Sequence, residues 1–276
     1  MVKNALKVAI FSCLIFLFSS CTQSPTYKRE KAGNIFADIC KKEFRLDVKA
    51  WMIGDTLWVY IPLPRLMDKN NQFYKENSQH MNHIFMVLRR MVLSIDNPPK
   101  FYSFLFSDVK EKGADLFYIG YVPDLIKIDF NAISLGQWYE RSAFSYSLNP
   151  KALGDADGLH FSRTDITMGD LLSFLVRQSL EARFSPIELR EYFTIKSTDS
   201  YFYDGKLGII FDIEKVKDWP VSNKSTPPSP FDETKNIIRK FIKMYDFKEV
   251  TEIEINDIAN KRQRYYSLPA LMDNIE

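Results

Sequence analysis

The residues best suited to chemistry in this chain stand in two short constellations. Gly154-Asp155-Ala156-Asp157-Gly158, followed by His160, places alternate carboxylates and an imidazole in a glycine-bounded loop. Such a loop can hold a hard cation or aim a carboxylate, although the late Glu and further oxygen ligands of a full calcium loop are missing. The simpler expectation is a tight turn stabilised by its own Asp side chains. Glu76, His80 and His83 form the second constellation. On a helix they fall within about 60° of one another, on the polar side, and three such ligand types can hold a zinc-like ion with an open position. No fourth ligand is identifiable, and a solvated polar face is the competing expectation.

Other nucleophile and phosphate patterns are absent. Ser107-Asp108-Val109-Lys110 has the bare spacing of the serine penicillin-interacting enzymes, but it follows a strand rather than opening a helix, and the companion motifs are missing. There is no nucleophile elbow and no zincin helix motif. The 10 Gly include none clustered before Lys-Ser or Lys-Thr, so no phosphate loop is expected. A Ser-His-acid set assembled from distant positions stays open, with His80, His83 and His160 as its possible bases. Trp51, Trp58, Trp138 and Trp219 could line a sugar or lipid site, but Trp51 and Trp58 sit in strand-like runs where packing is the commoner use. No cofactor is expected.

The N-terminus carries an address. Lys3 and Lys7 precede an apolar run from Val8 to Phe18, then Ser19, Ser20 and Cys21. Positive charge, apolar stretch and small residues are the build of a secretory leader, and the run is too short to span a bilayer. Leu17-Phe18-Ser19-Ser20-Cys21 resembles the lipobox of bacterial lipoproteins, departing from it in Phe18, where Leu, Val or Ile is usual. The resemblance covers residues 1–21. It implies cleavage before Cys21, lipid on that cysteine, and residence in the cell envelope. Thr22 in place of Asp leans toward the outer membrane, facing the periplasm. With Cys13 removed and Cys21 acylated, only Cys40 remains, at helical spacing among Ile35, Phe36 and Ile39, where a buried inert thiol is expected.

Elements must position these groups. Phe44 to Met52 and Thr56 to Leu63 read as strands across a Gly54-Asp55 turn. Met81, Ile84, Phe85, Leu88, Met91, Val92 and Ile95 form one helical face ended by Asn97-Pro98-Pro99. Phe101 to Phe106 and Leu116 to Tyr121 are strands again. The order returns late: Glu191 to Lys196, a turn at Asp204-Gly205, Leu207 to Ile213, a helix opened by Ser229-Pro230, Val250 to Ile255, and Tyr265 to Leu268. Gly54 stands 41 residues before Ile95, and Gly205 stands 40 before Tyr245. This spacing suggests an internal duplication of an α+β unit. Between the copies, Val122 to Phe130, Ser134 to Ala143, Thr167 to Phe184 and the start at Ser185-Pro186 read as helices.

The expected organisation is therefore a signal peptide at 1–20 and a lipidated tether at 21–33. A first α+β unit follows at 34–130, a helical insert at 131–189, and a second unit at 190–276, with antiparallel sheets. Net charge is +2, and removing Lys3 and Lys7 brings the mature part near zero, which gives no electrostatic reason for nucleic acid as a partner. The expected partners are the membrane, through lipid on Cys21, and another envelope protein. The expected role is a non-catalytic binding or assembly module, with an exported, metal-assisted hydrolase as the alternative.

Overall fold

The computed structural model describes residues 27–68, 72–219 and 228–273. The leader, Cys21 and the first part of the tether lie outside the described residues. The fold is mixed α+β with two similar units. In the first, α1 (Ala32–Phe44) leads into the hairpin of β1 (Lys49–Ile53) and β2 (Thr56–Leu63). Then α2 (Lys75–Val92) crosses over to a second hairpin, β3 (Phe101–Asp108) and β4 (Ala114–Tyr121). Next come α3 (Val122–Asp129), α4 (Leu135–Glu140) and β5 (Ala143–Leu148). The second unit repeats the order. It has α5 (Met168–Phe184), short α6 (Ile187–Arg190), β6 (Phe193–Tyr203), β7 (Lys206–Lys215), α7 (Pro230–Tyr245), β8 (Glu252–Asp257) and β9 (Arg262–Ser267), closed by α8 (Leu268–Met272).

Each sheet is mostly antiparallel but contains one parallel pair, β2 with β3 and β7 with β8, at the point where the helix crosses over. A helix connection permits parallel pairing, whereas a tight turn does not. The correspondence between units extends to single bonds. The N–H groups of Lys100 and Phe101 both donate to the Asp55 carbonyl, and those of Thr251 and Glu252 both donate to the Gly205 carbonyl. The two hairpin turns reach the same result differently. Gly54 alone has positive φ (53°) in its turn, whereas Asp204 and Gly205 (50° and 74°) both do in theirs. Both are two-residue loops whose twist suits the strands, and glycine supplies the left-handed backbone at low cost.

The repeat begins earlier than the hairpins suggest. α1 precedes the first hairpin and α5 the second, each opening with a glycine pressed on the first strand of its hairpin. A Cβ on Gly33 would lie 2.4 Å from the Ala50 carbonyl oxygen, and one on Gly169 would lie 2.0 Å from the Phe202 ring. The stretch expected to be a helical insert thus holds the opening helix of the second unit. It also holds a strand, β5, which joins the first sheet beside β4. Two expected helix starts hold, each with a full capping box: Ser134 with Gln137, and Thr167 with Asp170. Each cap is worth about 1 kcal/mol. The start at Ser185-Pro186 gives only the single turn α6, without a side-chain cap.

Alternation along the strands sorts the molecule into four layers. Leu57, Val59 and Ile61 of β2, with Tyr102, Phe104 and Phe106 of β3, face α1 and α2. The opposite face of the same sheet carries Trp58, Phe101 and Ile119, and packs on α5. α5 and α7 in turn pack on Leu207, Ile209, Phe211, Ile253 and Ile255 of the second sheet. The order is helices, sheet, helices, sheet. α5 is apolar over much of its circumference because it is covered on both sides, with Leu171, Leu172, Leu175, Val176 and Leu180 all buried. The outer face of the second sheet ends the stack with charged and polar residues, among them Lys206, Glu254 and Gln263.

Candidate functional site

The Asp-rich loop lies in the segment that crosses from the first sheet to α5. That segment runs along the inner face of β2 and is tied to alternate residues of the strand. The Tyr60 hydroxyl donates to the Asp155 carbonyl. Trp58 Nε1 donates to the Thr164 carbonyl at 2.7 Å. The Thr56 hydroxyl donates to Asp165 Oδ1 at 3.0 Å and accepts from the Ile166 N–H at 2.8 Å. Because Thr56, Trp58 and Tyr60 share one face of a strand, their period of two sets the course of the covering segment. Phe161 packs against both Trp58 and Tyr60, and the Arg163 guanidinium lies 4.2 Å over the Trp51 ring.

Within this cover, His160 occupies a closed polar cluster. Its Nδ1 stands 2.7 Å from Asp155 Oδ2, and its Nε2 stands 3.1 Å from Asp115 Oδ2. The backbone N–H of His160 also donates to Asp155 Oδ2, at 2.8 Å. Asp115 accepts in addition from Asn149 Nδ2, at 2.7 Å, and from the Ser107 hydroxyl. The His160 side chain is only 2% exposed. Burial alone would raise the Asp155 carboxyl, but the hydrogen bonds and charge of His160 outweigh it and hold that carboxyl below the usual carboxylate range. Burial pushes the Tyr60 phenol up to about 12, so it stays a hydrogen-bond donor at neutral pH.

Of the three residues the sequence singles out in this loop, the structure brings two together. Asp155 and His160 are partners, while Asp157 turns outward to an exposed ion pair with Lys49. Asp155 also behaves as a turn residue, its Oδ1 accepting from the Asp157 N–H at 3.1 Å. Sequence reasoning missed Asp115, Asn149 and Tyr60 and weighed Ser107 only as a nucleophile; the four come from three strands and the loop after β5. The signal that could have found Asp115 is its position: a carboxylate in strand period with Phe117 and Ile119, the apolar residues on its own face of β4.

Ser107 is not set up as a nucleophile. It is buried, and its hydroxyl donates to Asp115 rather than to an imidazole. A serine nucleophile needs its proton directed at a base, and His160 spends both ring nitrogens on carboxylates. No Ser-His-acid arrangement therefore forms around His160.

The second constellation lies on α2. Glu76 is exposed in its first turn, while His80 and His83 are half-buried. The His83 ring stacks on Phe44 of α1, centroids 4.2 Å apart, so it serves as a packing group between the helices. Burial and the neighbouring His83 lower the His80 pKa. Among the described residues, no group of three or more His, Cys, Asp or Glu side chains is placed to hold a metal ion. Cys40 is buried, and burial pushes its thiol up to about 12, which keeps it protonated and unreactive.

Two concave surfaces lie away from the cluster. A cleft of about 530 Å³ between the units is lined by Asp55, Lys100, Asp165, Tyr245 and Lys248. Its Asp55 is engaged by Lys100 at 2.7 Å and by Arg29 at 2.8 Å. An apolar groove of about 360 Å³ lies between α2 and α4, lined by Met81, Phe85, Met86, Tyr118, Trp138 and Tyr139. Among the described residues, no helix is long and apolar enough to cross a membrane. No protein-family model matches the chain, and no curated protein or solved structure matches it at a significant level.

Proposed function

We propose that this protein is a lipid-anchored lipoprotein of the bacterial cell envelope that acts as a non-catalytic binding or assembly module. One observation supports the module reading above the others. The Asp155–His160 pair, the closest approach to a chemical site among the described residues, is spent inside the fold, with His160 2% exposed and held between two carboxylates. A hydrolase needs its base within reach of a substrate proton, and this imidazole is sealed under the loop it anchors. The anchor reading rests on Lys3, Lys7, the apolar run and Cys21. Two or more acyl chains hold a protein stably on a membrane where one does not.

The full chain expressed in a bacterium with labelled palmitate tests the anchor. The native chain should carry the label and sediment with membranes, and Cys21→Ala should lose both properties. A mature product that retains Met1, or that starts with an unmodified thiol at Cys21, would refute it. Site-directed crosslinking in intact cells tests the module. A discrete envelope-protein adduct is expected, and its absence across several crosslinker positions would count against that role.

A further inference from the structure

The four outer strands of the two sheets are not protected alike. β9 carries Arg262 and Arg264, and β6 carries Lys196, Asp199 and a bulge between Ile195 and Ser197. β1 is five residues long, bears Lys49, and lies beneath the start of α1, where Gly33 approaches the Ala50 carbonyl. Charges, bulges, short length and covering helices are the usual defences of a sheet edge. β5, Ala-Phe-Ser-Tyr-Ser-Leu from 143 to 148, has no charge, no proline and no bulge against β4.

Its pattern leaves both backbone and side chains available. Asn149 N–H donates to the Gly113 carbonyl, which sets the phase of the β4 ladder so that Ala143, Ser145 and Ser147 bond β4. Phe144, Tyr146 and Leu148 therefore turn their N–H and C=O outward. The Phe144 N–H is capped by Gln178 Oε1 at 2.7 Å, confirming that phase. The same three side chains share one face of the sheet and are 53%, 42% and 69% exposed. An uncharged edge with alternating apolar and hydroxyl residues accepts an extended strand of like pattern.

We propose that this edge pairs with β5 of a second copy of the chain, antiparallel about a twofold axis at Ser147. The strand's own pattern fits it to itself. Tyr146 then faces Leu148 of the second copy and Leu148 faces its Tyr146, apolar on apolar, while Ser147 meets Ser147. Four outward backbone hydrogen bonds form beyond the position Gln178 occupies, and two five-stranded sheets become one of ten strands. An isologous contact of this kind closes on itself and gives a dimer rather than a fibre.

Sedimentation velocity of the full chain in detergent, over a concentration series reaching about 100 µM, tests the proposal. The native chain should pass from monomer to dimer. Tyr146→Pro should hold it as monomer, because proline removes an outward N–H that β4 does not use. Tyr146→Lys, which keeps the backbone and adds charge, should do the same if the proline variant misfolds. Ser147→Cys should form an interchain disulfide above the level of the native chain under mild oxidation, and Ser145→Cys should not. A native chain that stays monomeric, a dimer that survives both Tyr146 changes, or crosslinking through position 145 instead of 147 would each overturn it.

Discussion

Nε2 of His160 lies 3.1 Å from Oδ2 of Asp115, a strand residue 45 positions earlier in the chain, while Nδ1 of the same ring faces Asp155. A neutral imidazole donates from one nitrogen only. Two contacts to carboxylate oxygens are both satisfied when the cluster holds an additional proton, on the ring or on an acid. The pair joins the covering segment to β4, with the His160 side chain 2% and the Asp115 side chain 11% exposed.

Removing one side of such a pair leaves a buried charge without its partner. His160→Ala should therefore cost about 3 kcal/mol of stability, and Asp115→Ala a similar amount. The double variant should cost less than the two together, with a coupling of about 1–3 kcal/mol. Urea denaturation of the four proteins measures it. Additive losses would show that the two residues stabilise the fold independently.

Part of the acid sensitivity of the fold should run through Asp155. Its folded-state carboxyl is held below its ordinary value of 3.8, so the stabilisation is fully present above that value and is lost as pH falls below it. The stability gap between the native chain and Asp155→Asn should be largest near neutral pH and shrink below about pH 4. Urea midpoints at several pH values follow this directly. A gap that stays constant into acid would mean that the charge of Asp155 contributes nothing.

Much of this arrangement was legible in the sequence, for local reasons. The helix starts at Ser134 and Thr167 declare themselves through residues three positions apart, and the turns at Gly54-Asp55 and Asp204-Gly205 through glycine. The likeness of the two units was visible as near-equal spacing from those glycines, 41 residues to Ile95 and 40 to Tyr245. Asp155 and His160 could be flagged as a pair because they lie five residues apart. Asp115 and Ser107 could not, since only the β3–β4 register and the course of the covering segment bring them to the ring. β5 escaped notice because Phe144, Tyr146 and Leu148 alternate for only a few residues beside a helix. The parallel pairs were hidden for a related reason: strand direction depends on how a helix packs back, not on the strand's own residues.

Gly158 should prove intolerant of any side chain. Its φ is +68°, and an added Cβ would lie 2.8 Å from the Phe161 ring and 2.9 Å from Tyr60. Left-handed backbone and ring contact act together, so Gly158→Ala should lower stability by about 2 kcal/mol. By contrast Gly154, also at positive φ (77°), has nothing within 4 Å of an added Cβ, and Gly154→Ala should cost only the backbone share, about 1 kcal/mol. Thermal denaturation of the two variants compares crowding with strain alone. Equal losses would remove crowding as the cause.

The two units should unfold as one. Leu175 of α5 is fully buried in a core that includes Trp58, Phe101 and Ile119 of the first sheet and Leu207, Ile209 and Ile253 of the second. Among the described residues no boundary free of apolar contact separates them, because α5 lies between the two sheets and its core residues are shared by both. Leu175→Ala removes methyl groups from that shared layer and should cost about 2–5 kcal/mol. The loss should appear equally in the fluorescence of Trp58, which reports the first unit, and in that of Trp219, which packs on Tyr192 beside the second sheet. Single-tryptophan versions of the chain, each retaining one of these residues, provide the separate readings. Coincident urea midpoints that shift together in Leu175→Ala are expected. A shift confined to the Trp219 probe would mean that the helical layer belongs energetically to the second unit alone.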